Sequence, residues 1–170
     1  MKRKVFYSFH HRVDAGRALR VQQLPVVDSN PRESARDWQA IVGEGSSAIE
    51  DWFDRQLQHK SCTVVLIGNE TAHRKWIKHE IQHSWDCGKG VLGIYIHHLN
   101  DDYGMPSFKG QNPFGAFTIR QDGRRLSDVV KTYDPPFTES QEALDYIAQH
   151  LSHWVEEAVC IRDNYRRLRA

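Results

Sequence analysis

The segment Lys75-Trp76-Ile77-Lys78-His79-Glu80-Ile81-Gln82-His83-Ser84-Trp85 concentrates residues able to do chemistry, and its single carboxylate, Glu80, belongs to two patterns at once. His79-Glu80-Ile81-Gln82-His83 is a formal H-E-x-x-H, which on a helix can place two imidazoles on zinc with the glutamate as general base. Trp76-x-x-x-Glu80 is a tryptophan and a carboxylate one helical turn apart, a pair that can face a sugar without a metal.

At about 100° per residue, Ile77, Ile81, Ser84 and Trp85 share one sector and must face a core. His79 and His83 fall on the opposite side, where a zinc would sit on the outer face and lack a walled cleft. The extended form H-E-x-x-H-x-x-G-x-x-H fails at both Asp86 and Lys89. The expectation is therefore two solvated histidines and no metal. Glu80 falls at the margin of the buried stripe with Trp76 one turn before it, so the two can wall a pocket. A surface glutamate beside a half-buried tryptophan fits the same residues.

The elements that must position this segment read clearly. Val5–Phe9, Thr63–Ile67 and Val91–Ile96 are apolar at nearly every position, as strands covered on both faces are. Helical patterns separate them, which implies parallel strands joined by crossovers. Ser47-x-x-Glu50 reads as a capping box before Ile49, Trp52, Phe53 and Leu57, and the helix of Glu80 is expected to start near residues 69–71. Residues 100–128 read as a loop-rich surface insertion with a tight turn at Gln121-Asp122-Gly123, and 129–133 as a last edge strand. Thr138-x-x-Gln141 opens a final helix with Leu144, Ile147, Leu151, Val155 and Val159 on one face. The fold class expected is α/β: a doubly wound, flavodoxin-like, mostly parallel sheet flanked by helices, with its crevice beyond the carboxyl ends of the strands.

With 170 residues, 39% apolar content and a net charge of +1, the chain is expected to form one domain with a single core. No basic footprint for nucleic acid stands out, since the cluster from Arg162 to Arg169 suits a helix C-terminus. The apolar run after Met1-Lys2-Arg3-Lys4 is too short for a signal-peptide core or a membrane span, so a cytoplasmic location is expected. Cys62, Cys87 and Cys160 form no C-x-x-C pair and read as reduced packing residues. Ser8-Phe9-His10 and Gly68-Asn69 stand where a phospho-receiver would carry its acidic residues, and no glycine-rich phosphate loop follows any strand.

Val5-Phe6-Tyr7-Ser8-Phe9-His10 resembles the first strand of TIR domains, and residues 74–81 resemble their helix with W-x-x-x-E. Trp38, residues 61–68, residues 88–96, Asn112-Pro113-Phe114 and Lys131-Thr132-Tyr133-Asp134-Pro135-Pro136 are similar to the TIR-like ThsB proteins of bacterial Thoeris antiphage defence. The resemblance spans nearly the whole chain.

It implies an enzyme that takes NAD+ as substrate, needs no cofactor, cleaves the nicotinamide–ribose bond and makes a cyclic ADP-ribose isomer upon phage infection. A phage-derived trigger and a separate effector, ThsA, reached through the diffusible signal, come with it. Carried over by motif, Glu80 is the catalytic glutamate, Trp76 its pocket neighbour, and Ser8, Phe9 and His10 the strand end beside ribose and nicotinamide. Arg20, Asn30 and Trp38 are expected to line the adenine side, although each also fits a salt-bridge, turn or core role. Residues 12–38 depart from ordinary TIR domains in lacking a recognisable BB-loop motif, with Asp28-Ser29-Asn30-Pro31 as a different turn. A non-catalytic TIR-like scaffold acting by self-association, and an H-E-x-x-H zinc hydrolase, remain as other readings.

Overall fold

The structure, a computed structural model, describes residues 2–29, 41 and 43–167. Four parallel strands form one sheet in the order β1-β2-β3-β4: β1 is Val5–Ser8, β2 Cys62–Ile67, β3 Gly90–Tyr95 and β4 Thr132–Tyr133. The three long apolar runs are thus strands, buried at every position. Among the described residues four helices flank them: α1 is His11–Gln22, α2 Ser46–Leu57, α3 Lys75–Asp86 and α4 Ser140–Arg167.

Alternate residues of each strand face opposite layers, because the side-chain period of a strand is two. Val5, Tyr7, Val64, Leu66, Leu92 and Ile94 pack with Ala18 and Val21 of α1 and with Ile147, Leu151 and Val155 of α4. On the other face Val65, Ile67 and Val91 meet Ile77, Ile81 and Trp85 of α3, while Phe6 meets Ile49, Trp52 and Phe53 of α2. Helices therefore cover both faces, as a doubly wound sheet requires.

Beyond β1, on the side away from β2, Asp28 makes a single parallel bridge to Lys4. Its N–H donates to Arg3 O and its carbonyl accepts from Val5 N, each at 2.9 Å. Among the described residues this one bridge stands where a flavodoxin-like fold has its second strand, so the chain departs to opposite sides of β1. That makes the carboxyl end of β1 the topological switch point, where ligands of such sheets bind.

Local expectations fail at the ends of elements. Helix α2 starts at Ser46 behind Gly45 (φ 104°), with no side-chain cap, so the capping box at Ser47 does not form. Helix α4 starts at Ser140, and the carboxylate of Glu139, not Thr138, accepts from the N–H groups of Gln141 and Glu142. The edge strand shrinks to Thr132–Tyr133, since Val129 ends a 3-10 turn.

The insertion is the larger correction. The turn at Gln121-Asp122-Gly123 is present, with Gly123 at φ 74°, but Phe114, Ile119 and Leu126 are core residues. Asn112 caps the 3-10 turn that carries Phe114 by accepting from its N–H at 2.9 Å. The root of the insertion is tied to α1 by a buried ion pair. Arg17 donates to Asp14 Oδ1 at 3.0 Å, to Leu99 O at 2.8 Å and to Met105 O at 2.8 Å. Asp14 Oδ2 has no hydrogen-bond partner among the described residues, and burial holds the Asp14 carboxyl above its ordinary range despite Arg17.

Two substitutions test this packing. A Cβ at Gly90 would stand 2.8 Å from the Val159 amide nitrogen, so Gly90→Ala should cost about 1–3 kcal/mol in denaturant unfolding. Arg17→Ala leaves Asp14 without its cation and the Leu99 carbonyl without a donor, and should cost about 3–5 kcal/mol in the same assay. Adding Asp14→Ala should recover part of that loss, because the buried charge goes with it.

Candidate functional site

The site is built where β1 ends and α3 begins. After β2, Gly68 donates its N–H to Thr71 Oγ1 at 2.8 Å, and a 3-10 turn follows over Thr71–His73. Arg74 is extended (φ −86°, ψ 121°), so α3 starts only at Lys75. This late start places Glu80 in the middle of the helix.

Glu80 is 5% exposed and lies inside the buried stripe with Ile77, Ile81, Ser84 and Trp85, not at its margin. Ser8, the last residue of β1, is fully buried and its hydroxyl donates to Glu80 Oε2. One turn further along α3, Ser84 Oγ and Thr63 Oγ1 of β2 share a hydrogen bond of 2.7 Å. The helix is thus held to the sheet by two buried polar pairs set among aliphatic contacts.

Burial disfavours the charged carboxylate and pushes the pKa of Glu80 up to about 8, while the Ser8 hydrogen bond pulls it down by less. A carboxyl group raised by burial and anchored at a switch point is the pattern of a functional group poised near neutrality.

Phe9 and His10 continue from Ser8 and are both buried. His10 caps α1 through Nδ1, 3.3 Å from Arg12 N, and its Nε2 lies 2.6 Å from Arg74 Nε and 3.4 Å from Glu70 Oε2. A neutral imidazole accepts at one nitrogen, so the two contacts alternate with its tautomer. Burial, and then the charge of Arg74, lower the pKa of His10. Strand end, α1 and the start of α3 are therefore joined through one uncharged ring.

The structure does not bring every expected residue to this point. Trp76 is half-buried one turn before Glu80 but packs toward the cluster of Phe6, Trp52 and Phe53 under α2. Arg20 lies two and a half turns along α1 from His11 and donates Nε to Asn100 O at 2.9 Å, so it tethers the insertion. Asn30 and Trp38 lie outside the described residues.

The histidines of the H-E-x-x-H string also differ from expectation. His79 and His83 are half-buried against α2, not solvated. His79 lies 5.7 Å from the Phe53 ring and stacks on His83 at 5.9 Å. Glu80 turns to Ser8 on the sheet side, so the motif's carboxylate and imidazoles point apart and no zincin centre is assembled.

The sequence carries little sign of the cover over this end of the sheet. A Cβ at Gly110 would stand 2.0 Å from Gly68 O, so the insertion crosses directly over the end of β2. Gly68 in turn presses on Asp14, whose Oδ2 is 2.1 Å from where its Cβ would be. The spacing Asp14-x-x-Arg17 was a legible sign of an ion pair on α1; the close approach of Gly110 had no sequence signal beyond the glycine itself.

The family described as Thoeris protein ThsB, TIR-like domain, matches residues 6–101, a span that contains Ser8, the late-starting α3 and Glu80. A protein of Bacillus cereus (strain MSX-D12) named "Putative cyclic ADP-D-ribose synthase ThsB1" is 31% identical over 134 residues, which cover 74% of this chain and 69% of the relative. With a parallel sheet covered on both faces and a buried glutamate on the W-x-x-x-E helix, the chain belongs to the TIR-like ThsB family of Thoeris proteins.

Proposed function

We propose that this chain is a TIR-type enzyme that cleaves the nicotinamide–ribose bond of NAD+ and closes the ADP-ribosyl group into a cyclic isomer. The observation that carries the reading is Glu80, buried on α3 and hydrogen-bonded to Ser8 at the carboxyl end of β1. The name of the Bacillus cereus relative supports the reaction class.

The chemistry follows from the environment of the carboxyl group. In the ligand-free protein burial keeps Glu80 largely protonated at neutral pH. A nicotinamide riboside carries a positive charge on its ring, and its entry beside Glu80 favours the carboxylate. Departure of neutral nicotinamide moves that charge onto an oxocarbenium-like ribose, which an anion fixed in a dry site stabilises. With water excluded, an oxygen or nitrogen of the same ADP-ribosyl group is the available nucleophile, so cyclisation outruns hydrolysis. Ser8 fixes the carboxyl, while Phe9 packs in the core on the α1 and α4 side of the sheet; no metal or further cofactor enters these steps.

The product is a diffusible signal for a separate effector, ThsA, made in the cytoplasm when a phage-derived trigger appears. Among the described residues no helix is long and apolar enough to cross a membrane. The burial of Ser8 and Glu80 requires the cover to move before a ribose can reach them, which suits an enzyme that stays silent until triggered. The same closure favours a second reading, a scaffold that acts by self-association without chemistry. Antiphage protection that survives Glu80→Ala would favour the scaffold; its loss, with the fold intact, favours the enzyme.

Nicotinamide release from NAD+ should appear when the pure protein is supplemented with lysate of phage-infected cells. Glu80→Gln should reduce it roughly 100-fold or more while NAD+ still binds, and undiminished release would remove Glu80 from the chemistry. In kcat/KM the rate should rise with pH toward a plateau above about 8 as Glu80 ionises. Ser8→Ala removes the hydrogen bond that lowers this pKa, so its limb should move to higher pH.

Stability carries the opposite sign. The folded protein keeps the Glu80 proton up to about 8, whereas the unfolded chain gives it up near the ordinary 4.5. Stabilisation by the neutral carboxyl is therefore complete below 4.5 and is lost as pH rises through about 8. Relative to Glu80→Gln, the wild type should lose stability across that window in denaturant titrations.

A further inference from the structure

His83, the second histidine of the H-E-x-x-H string, turns away from Glu80 toward Asp54 and Cys87. Its ring lies between α3 and α2, with Nε2 2.6 Å from Asp54 Oδ1 and 3.6 Å from Cys87 Sγ. One donor atom from each of the three lies within 4.8 Å of the other two. Cys87 follows His83 by four residues at the end of α3, so thiol and imidazole share one helix face. Asp54 comes from α2, across the helix pair.

The separations can be compared with those a metal imposes. With Zn–S about 2.3 Å, Zn–N about 2.0–2.1 Å and a tetrahedral angle, sulfur and nitrogen stand about 3.5 Å apart. The observed 3.6 Å matches. A carboxylate oxygen and the same nitrogen should stand about 3.4 Å apart, so Asp54 would have to withdraw from its present 2.6 Å. Its side chain is 60% exposed and free to do so. An ordinary histidine–aspartate ion pair has Nε2 donate to Asp54, and a nitrogen that donates cannot also accept from the Cys87 thiol 3.6 Å away, whereas a metal accommodates all three groups at once.

A reactive, redox-sensing thiol fits the surroundings less well. Burial first and then Asp54 push the Cys87 thiol above its ordinary value, with Lys89 opposing and Asp86 adding the least. A dication offsets those carboxylates and stabilises the thiolate that they disfavour.

We propose that Asp54, His83 and Cys87 form a binding site for a zinc-class divalent cation, which clips α2 to α3. Sulfur, imidazole nitrogen and carboxylate oxygen suit Zn2+ and select against Mg2+ and Ca2+. Three protein ligands leave a fourth position for water. The site lies on the face of α3 turned to α2, whereas Glu80 faces Ser8 and the sheet, so it does not depend on the NAD+ reading.

The test is a Co2+ titration of the tag-free, phosphine-reduced full chain, followed by absorption. One equivalent should produce the near-ultraviolet thiolate-to-cobalt band with tetrahedral visible bands, and Zn2+ should displace both. Cys87→Ser should abolish the thiolate band, and His83→Ala or Asp54→Ala should weaken binding by roughly tenfold or more. Cys160→Ser, which alters the other exposed thiol, should leave the titration unchanged. Zn2+ should raise the melting temperature of wild type and not of Cys87→Ser. A wild type without a saturable band, a band that survives Cys87→Ser, or one lost in Cys160→Ser would overturn the proposal. Circular dichroism of each variant separates lost ligation from lost fold.

Discussion

A carboxyl group in the middle of a helix, tied to a serine at the end of a central strand, constrains the design of this protein. Burying Glu80 is costly unless its oxygens are satisfied and its charge is managed. The protein answers with the Ser8 hydroxyl and a raised pKa. That solution fixes the angle of α3 against β1, since helix and strand must stay in register for one hydrogen bond to form. The Thr63–Ser84 pair repeats the device one turn away. The arrangement sacrifices an apolar contact at the centre of an aliphatic interface, a sacrifice that makes sense where the carboxyl has work to do.

The neighbourhood reinforces the same point in space. His10 joins the strand end to α1 and to Arg74 at the start of α3. Arg17 and Asp14 bind α1 to the root of the insertion, and Gly110 lets the insertion lie across the end of β2. The switch point is thus closed by groups that are themselves bonded to two or three elements. Opening it means displacing a bonded loop and not merely turning a side chain, as the triggered activity proposed for this chain would require.

Much of this was legible in the residues because parallel strands buried on both faces carry an unbroken apolar signal. The stripe Ile77, Ile81, Ser84, Trp85 fixed the face of α3 correctly. A helical wheel places Glu80 at the border of this stripe, while the actual border is set by Ser8, a residue 72 positions away. The capping box at Ser47 and the start at Thr138 failed for a related reason: Gly45 and Glu139 offered competing starts a residue or two away. The insertion read as surface because Asn, Asp, Gly and Pro dominate it, yet a few apolar residues such as Phe114 suffice to anchor it in the core. Arg20 shows the limit most plainly, since its partner is a backbone carbonyl that carries no sequence signal.

The central claim is that Glu80 is a buried, largely neutral carboxyl that becomes the anion facing the ribose of NAD+. Its side-chain carboxyl carbon, labelled with 13C and assigned by comparison with Glu80→Gln, reports protonation directly. A titration should show it ionising near 8 in the free protein, and at lower pH when NAD+ is bound. Ionisation near the ordinary 4.5 in the free protein, with no response to NAD+, would contradict the account.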